Sequence, residues 1–359
     1  VLEDGAGVLD EQRRVREDVL EGLVVLGRQD GLVLVRHEHV TGAAEEVRAF
    51  LDHVGTALDR LDDARLDLER RVLRTEARGR PRTLNGLHLD HRFGPNGLGL
   101  LESEELGLRW LGAGDLQSWI GTWFTAGNAA LAVVGPDPRG LRLHLPPGPR
   151  PTRAPAPPEL IDQPTWSAVP GSVVAISTTA PRSARWTVTT ELLTQVAEHR
   201  LRQVDGRSYS VVDLSLPVDA ARTYTYVGAD CLAEEADRVQ EALSAELTRL
   251  RTRGPTADEV EAAIASLRRA MADDRAAMGA AYAAADALLL GRDVLPPGQV
   301  LAEVAAVGPD DVASALDEAH RRILWTVPFT SPISDRRYAH LPLWSTHRVE
   351  GTEYRPGAD

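Results

Sequence analysis

The side chains with the chemistry to act fall into a few groups along the chain. Glu11 sits in the run Val8-Leu9-Asp10-Glu11-Gln12, and Glu69 and Glu76 lie seven residues apart in LERRVLRTE. Carboxylates serve as metal ligands or proton acceptors. Their plain reading is as solvated helix carboxylates paired with Arg70, Arg71 or Arg74. Arg202 and Tyr209 also lie seven apart, in LRQVDGRSYSV. The plain reading has Arg202 capping a helix C-terminus and Tyr209 filling a strand core. His37 and His39 alternate on a strand-like run, and His88 and His91 have helical spacing. Either pair is a candidate to recruit a metal with Glu76, although ten histidines make chance pairs expected. Cys231 is the one cysteine. An acid-rich helix follows it, which raises a thiol pKa, so it reads as structural. There is no Gly-x-Ser-x-Gly elbow and no Gly-rich phosphate loop after a strand.

The elements that must position these groups follow from periodicity. Residues 8–26 read as a helix, with Val8, Gln12, Val15, Val19 and Leu23 on one face. A strand is predicted over 31–39. An amphipathic helix follows over 43–60, with Val47, Phe50, Leu51, Val54 and Leu58 in one stripe. Further helices are expected over 65–77 and 115–124, the latter with Asp115 as N-cap, and a buried strand over 128–135. The Pro-rich run PPGPRPTRAPAPP reads as a polyproline-type linker. A similar order then recurs: strand 173–177, helix 187–204, strands 209–216 and 222–227, helices 233–251 and 258–290, two short helices over 300–323 and a closing strand 324–328. The expected layout is an N-terminal domain over 1–145, a linker over 146–160, a C-terminal domain over 161–330 and an irregular tail over 331–359. Strands and helices mix without strict βαβ alternation, which predicts an α+β protein of two similar layered domains.

Composition narrows the function. A length of 359 residues favours two domains, and 43% hydrophobic residues can bury substantial cores. The formal net charge of −13 weighs against nucleic-acid binding and favours a partner with basic surface. All the Lys+Arg residues are arginine, as a high-GC coding bias gives. No apolar run has membrane-spanning length and no secretory leader is read, so a cytoplasmic protein without membrane association is expected.

Four segments stand out by their order and spacing: LERRVLRTE, FGPNGLGL, LQSWIGTWFTAGNAALAVVGPDP and HRLRQVDGRSYSV. Together they resemble the insulinase/pitrilysin family of inverzincin metallopeptidases, in particular the short two-domain bacterial branch related to mitochondrial processing peptidase. The resemblance implies two domains with mixed, largely antiparallel sheets flanked by helices, forming half of a clamshell. In active members, His-x-x-Glu-His and a downstream glutamate hold zinc, and the motif glutamate activates water. Set on this chain, the pattern places Val8 and Gln12 where the histidines belong, Glu11 at the motif acid, Glu76 at the third ligand and Glu69 at its supporting acid. Little precedes Val8, where family members carry further strands. Valine has no lone pair to offer and glutamine only a neutral amide oxygen, so no zinc is expected in this chain.

The same resemblance places Arg202 and Tyr209 at the pair that handles substrate across from the zinc. The expected function is therefore a non-catalytic subunit of a heterodimeric zinc metallopeptidase. Its partner is expected to be a homologous subunit with an intact His-x-x-Glu-His motif and its own zinc. The substrate is a peptide, for instance a leader peptide, held partly by strand addition to a sheet edge. Two rival expectations stand beside it: a scaffold or peptide-binding protein with no role in turnover, and a self-sufficient zinc peptidase with an unrecognised metal site.

Overall fold

A computed structural model describes residues 19–26, 36–59, 63–79, 83–102, 106–135, 141–151, 158–169, 172–273 and 276–328. The residues separate into two compact units, each drawn from several stretches: Val1–Gly79, Glu104–Ala154 and Ala272–Leu295 in one, Arg80–Ser103, Pro155–Met271 and Pro296–Asp359 in the other. The α+β class holds in both.

The first unit contains an antiparallel sheet of order β2-β1-β3, from β1 (Val19–Leu26), β2 (Arg36–Ala43) and β3 (Ala129–Val134). The helical stripe expected over 8–26 is overturned at its end, because Val19–Leu26 is a strand; the remainder of that reading lies outside the described residues. The run VLEGLVVL is rich in Val and Leu, and pairing on both edges outweighs the weak helical period. Helix α1 (Ala44–Asp59) follows β2 directly, and its predicted stripe forms the core. Val47 and Leu51 are fully buried with Ile120 and Phe124, and Phe50, Val54, Leu58, Leu131 and Val133 pack around them. Gly55 lets α1 approach the chain closely, since a Cβ there would sit 2.2 Å from the His144 carbonyl oxygen. Helix α2 (Leu66–Gly79) carries Glu69 and Glu76.

The second unit begins with α3 (Leu84–Phe93), an element the sequence reading passed over because its apolar stripe is interrupted by His88, Asp90, His91 and Arg92. Thr83 caps it, accepting the Gly86 N–H at 3.0 Å, and Gly94 ends it with φ +58°, a left-handed conformation that favours glycine. Helix α4 (Ala113–Trp123), back in the first unit, starts with the Gly112 N–H donating to Asp115 at 2.8 Å. The second sheet has the order β4-β8-β5-β7-β6, from β4 (Thr165–Val169), β5 (Val173–Pro181), β6 (Val211–Pro217), β7 (Arg222–Asp230) and β8 (Leu324–Pro328). Only β4 and β8 run parallel, so the sheet is mixed and largely antiparallel.

One face of that sheet is covered by α5 (Ala184–Glu198), α6 (Ala236–Thr252), α7 (Ala257–Ala272), α9 (Pro297–Ala305) and α10 (Pro309–His320). They enclose a core that includes Val174, Leu192, Leu243 and Trp325. The other face takes α3 through Leu89 and Phe93, against Ala175, Tyr224 and Tyr226. The helix predicted over 258–290 is two helices, α7 and α8 (Ala276–Leu289), belonging to different units. Helix α8 packs Ala285 and Leu289 against Ala130 of β3. The Pro-rich stretch is bonded to the first unit where described, with Ala126 N–H donating to the Pro146 carbonyl at 3.0 Å and Gly127 N–H to that of Gly148 at 3.1 Å. The tail over 331–359 lies outside the described residues.

Candidate functional site

Helix α5 does not stop at Glu198 but widens into a π-helical turn, His199–Val204, which carries Arg202. Such turns are rare and occur frequently at functional sites. The chain then turns through Gly206 (φ +63°) into β6. In that turn Asp230, at the end of β7, gathers three donors on one oxygen: the Ser208 hydroxyl at 2.8 Å, the Tyr209 N–H at 2.8 Å and the Ser210 N–H at 2.9 Å. Partial burial pushes the Asp230 carboxyl up, but these bonds outweigh it and hold it below the ordinary carboxylate range. The backbone at Tyr209 is thereby fixed, while its side chain stands 83% exposed. The Arg202 guanidinium carbon lies 5.9 Å from the Tyr209 ring centre, within cation–π range. Arg202 also donates to Glu198 at 2.8 Å and keeps half of its side chain exposed.

The structure therefore brings together the two residues that the sequence places seven apart. It corrects the plain reading of Tyr209: the tyrosine precedes β6 and fills no core. The Arg202 guanidinium bonds the Glu198 carboxylate one turn earlier rather than a helix-end carbonyl. The result is two exposed hydrogen-bond donors, a guanidinium and a phenol, set side by side on a braced turn.

Glu69 and Glu76 are exposed on α2, and Glu69 pairs with Arg65 at 3.0 Å rather than with Arg70, Arg71 or Arg74. Arg70 instead donates to Asp67 at 2.8 Å. Val8, Glu11 and Gln12 lie outside the described residues. Among the described residues, no three of His, Cys, Asp or Glu gather as a metal site.

His88 and His91 turn inward in the second unit. The fully buried His88 ring lies between the Ser177 and Thr326 hydroxyls, each at 2.8 Å, and sits edge-on to Tyr226. His91 donates from Nδ1 to the Leu87 carbonyl at 2.7 Å, so Nε2 accepts from the Ser167 hydroxyl at 3.1 Å. Burial pushes both imidazoles down, and His91 and Arg92 add to the effect at His88. His37 and His39 are on β2, opposite Val25 and Leu23. Cys231 is buried and free; burial, with Asp230 and Glu235 adding, pushes its thiol up to about 11, which makes it a poor nucleophile at neutral pH.

No family model matches the sequence, and no curated protein matches it. Solved structures do match. A protease from Helicobacter pylori superposes with a TM-score of 0.71 at 12% identity, over 87% of this chain and 94% of that one. The peptidase M16 inactive domain from Pseudomonas fluorescens gives 0.66 at 13% identity, over 87% and 93%. The first half of the periplasmic protease PqqL from Escherichia coli gives 0.64 at 11% identity, over 93% and 92%. Against the whole of PqqL, the chain spans 49% of the length. At these identities it is the architecture that is shared: the chain has the two-unit α+β fold found in M16 peptidase domains and half-molecules.

Proposed function

We propose that this chain is a non-catalytic subunit of a two-chain metallopeptidase of the insulinase (M16) type. It holds peptide and contributes Arg202 and Tyr209 to a site whose zinc is carried by a homologous partner with an intact His-x-x-Glu-His motif. The observation that carries this reading is the exposed Arg202–Tyr209 pair on its braced turn. The Tyr209 side chain, 83% exposed beside a half-exposed guanidinium, presents hydrogen-bond donors to solvent where a peptide can reach them. The likeness to a peptidase M16 inactive domain and to one half of a protease supports the non-catalytic role.

Chemically, the pair suits a peptide carbonyl. The phenol and guanidinium both donate hydrogen bonds, and the guanidinium adds positive charge. Aimed at an oxygen that gains negative charge during peptide hydrolysis, such donors stabilise the transition state by about 3–4 kcal/mol each when well placed. In this reading the hydrolytic water is supplied at the partner's zinc. The peptide, for instance a leader segment, would lie extended along the nearby sheet edge.

The test is reconstitution with the homologous zinc-bearing subunit from the same genome. Tyr209→Phe or Arg202→Ala is expected to lower kcat by about 10²-fold with little change in KM, since the lost bond forms in the transition state. Full turnover with both residues changed would make the chain a scaffold. Stoichiometric zinc in the purified chain, with chelator-sensitive cleavage in the absence of a partner, would overturn the reading altogether.

A further inference from the structure

Tyr209 lies outside both regular elements that flank it. The π-helical turn ends at Val204 and β6 begins at Val211, so neither element holds the tyrosine. Two sets of bonds do. On the N-terminal side, the Arg207 and Ser208 N–H groups both donate to the Leu201 carbonyl, at 2.8 and 3.2 Å, and Leu201 is fully buried in the core of the second unit. That ties the entry to β6 to the turn that carries Arg202. On the C-terminal side the acceptor is Asp230. Its Oδ1 takes the Tyr209 and Ser210 N–H groups, while its own N–H donates to the Ser210 carbonyl at 3.3 Å.

Ser208 joins the two sets. Its N–H belongs to the first, and its hydroxyl lies 2.8 Å from both the Asp230 Oδ1 and the Ser210 carbonyl oxygen. Arg207 adds an outer tether by donating to Glu235 at 2.8 Å. Asp230 is ionised at neutral pH, and bonds to a charged acceptor are about twice as strong as bonds between neutral groups. Beyond this frame the phenol ring meets the Arg202 guanidinium at 5.9 Å and is otherwise open to solvent. Its direction is therefore set by the backbone beneath it and by Arg202.

We propose that Asp230 is a positioning residue for the Arg202–Tyr209 pair. Acting through the Tyr209 and Ser210 N–H groups, it holds the phenol beside the guanidinium and open to a bound peptide. It touches neither substrate nor the reacting atoms. Three donors converge on one of its oxygens, and a carboxylate displaced by one methylene cannot meet all three. A tyrosine released from Asp230 still visits the productive position part of the time, so losing Asp230 costs less than losing the phenol hydroxyl itself. The effect of Asp230 on turnover rests on the proposed function, whereas its effect on the Tyr209 ring does not.

The purified full chain, without a partner, gives the first readout by NMR. Asp230→Ala is expected to move the Tyr209 ring resonances in the same direction as Arg202→Ala does. It should also speed exchange of the Tyr209 and Ser210 amides about tenfold, with the amides of β5 and β7 unchanged. Asp230→Glu should behave like Asp230→Ala, and Asp230→Asn, which keeps an acceptor in place, should fall between that variant and wild type. If Asp230→Ala does not fold, Asp230→Asn carries the test. The pair reconstituted with the zinc-bearing subunit gives the second readout. Asp230→Ala should lower kcat about tenfold, leave KM within about twofold, and cost nothing further on a Tyr209→Phe background. Ring resonances that ignore Asp230→Ala, or exchange that quickens along the whole β6–β7 ladder, would overturn the proposal and leave Asp230 a plain strand brace. So would kcat losses that multiply in the double variant. If Tyr209→Phe leaves turnover intact, the proposed function fails, and the ring resonances of the isolated chain still decide the role of Asp230.

Discussion

The replacement Glu159→Gln tests what fastens residues 80–103 to the second unit. Arg92 is fully buried on α3. Its guanidinium donates to the Ser177 carbonyl at 2.9 Å, the Ser177 hydroxyl at 3.2 Å and the Arg322 carbonyl at 3.0 Å. Its countercharge is Glu159, 6% exposed, at 3.3 Å. Burial pushes the Arg92 pKa down and Glu159 pushes it back. The same carboxylate accepts from the Thr179 hydroxyl at 2.6 Å and from Arg222 at 2.8 Å. Arg222 has a second partner in Asp219, and Arg322 keeps half of its side chain exposed, so both tolerate the loss. Arg92 does not. Gln conserves shape and leaves a buried cation without its anion, which costs about 3–5 kcal/mol. For a unit of this size that lowers Tm by roughly 6–20 °C. The assay is thermal and urea unfolding followed by near-UV circular dichroism, to which the stacked Trp166–Trp325 pair of the same unit contributes. Arg185→Ala serves as control. Its pair with Glu318 is half solvated, so the expected loss is below about 1 kcal/mol. The double variant Arg92→Met/Glu159→Gln should recover most of the loss, because no unpaired charge remains. If Glu159→Gln cost as little as the surface control, the argument that this carboxylate neutralises Arg92 would be refuted.

Two further perturbations follow from the same structure. His88 and His91 are held neutral with pKa values below the free imidazole's 6.5, so the unfolded chain binds protons that the folded chain does not. Their stabilisation is complete above pH 6.5 and declines as pH falls toward the folded values, at up to about 2.7 kcal/mol per pH unit for the two together. Urea midpoints between pH 7 and 5 should fall, and His88→Gln should flatten the dependence. In the first unit, Leu51→Ala empties a fully buried position between α1 and α4 and should cost about 2–5 kcal/mol, read as faster amide exchange over residues 44–59.

The sequence reveals the helices of this protein better than its sheet edges. The stripe Val47, Phe50, Leu51, Val54 and Leu58 predicts α1 closely, because an amphipathic helix against one core leaves its period in the residue types. The strand 324–328 is legible for a similar reason, as five buried residues between turn signals. Helix α3 is not. Its inward face carries His88 and Arg92, so a search for apolar period passes over it. The units draw on interleaved stretches, since the side chains that hold α3 come from β5, β8 and residue 159, far along the chain. At the candidate site the spacing of Arg202 and Tyr209 is legible and the bracing by Asp230 is not, because that contact spans 21 residues and depends on how β7 ends.

A signal for the buried histidines does exist, and it separates core from site. The strands TWSAV, VVAISTTAP and LWTVP bury the hydroxyls of Ser167, Ser177 and Thr326 among apolar side chains, where desolvating an unpaired hydroxyl costs about 1–3 kcal/mol. Ser167 and Thr326 are register partners on β4 and β8, and Ser177 is on neighbouring β5. Such a row requires polar partners from the covering helix, and His88, His91 and Arg92 supply them from successive turns of α3. Polar residues bonded to one another inside a unit are turned away from any ligand in solvent. Arg202 and Tyr209 show the opposite balance: the backbone beneath them is saturated by Asp230, while the phenol and much of the guanidinium face solvent. His88, His91 and Arg92 are thus spent on holding α3 to its sheet, while the Arg202 and Tyr209 side chains are left facing solvent.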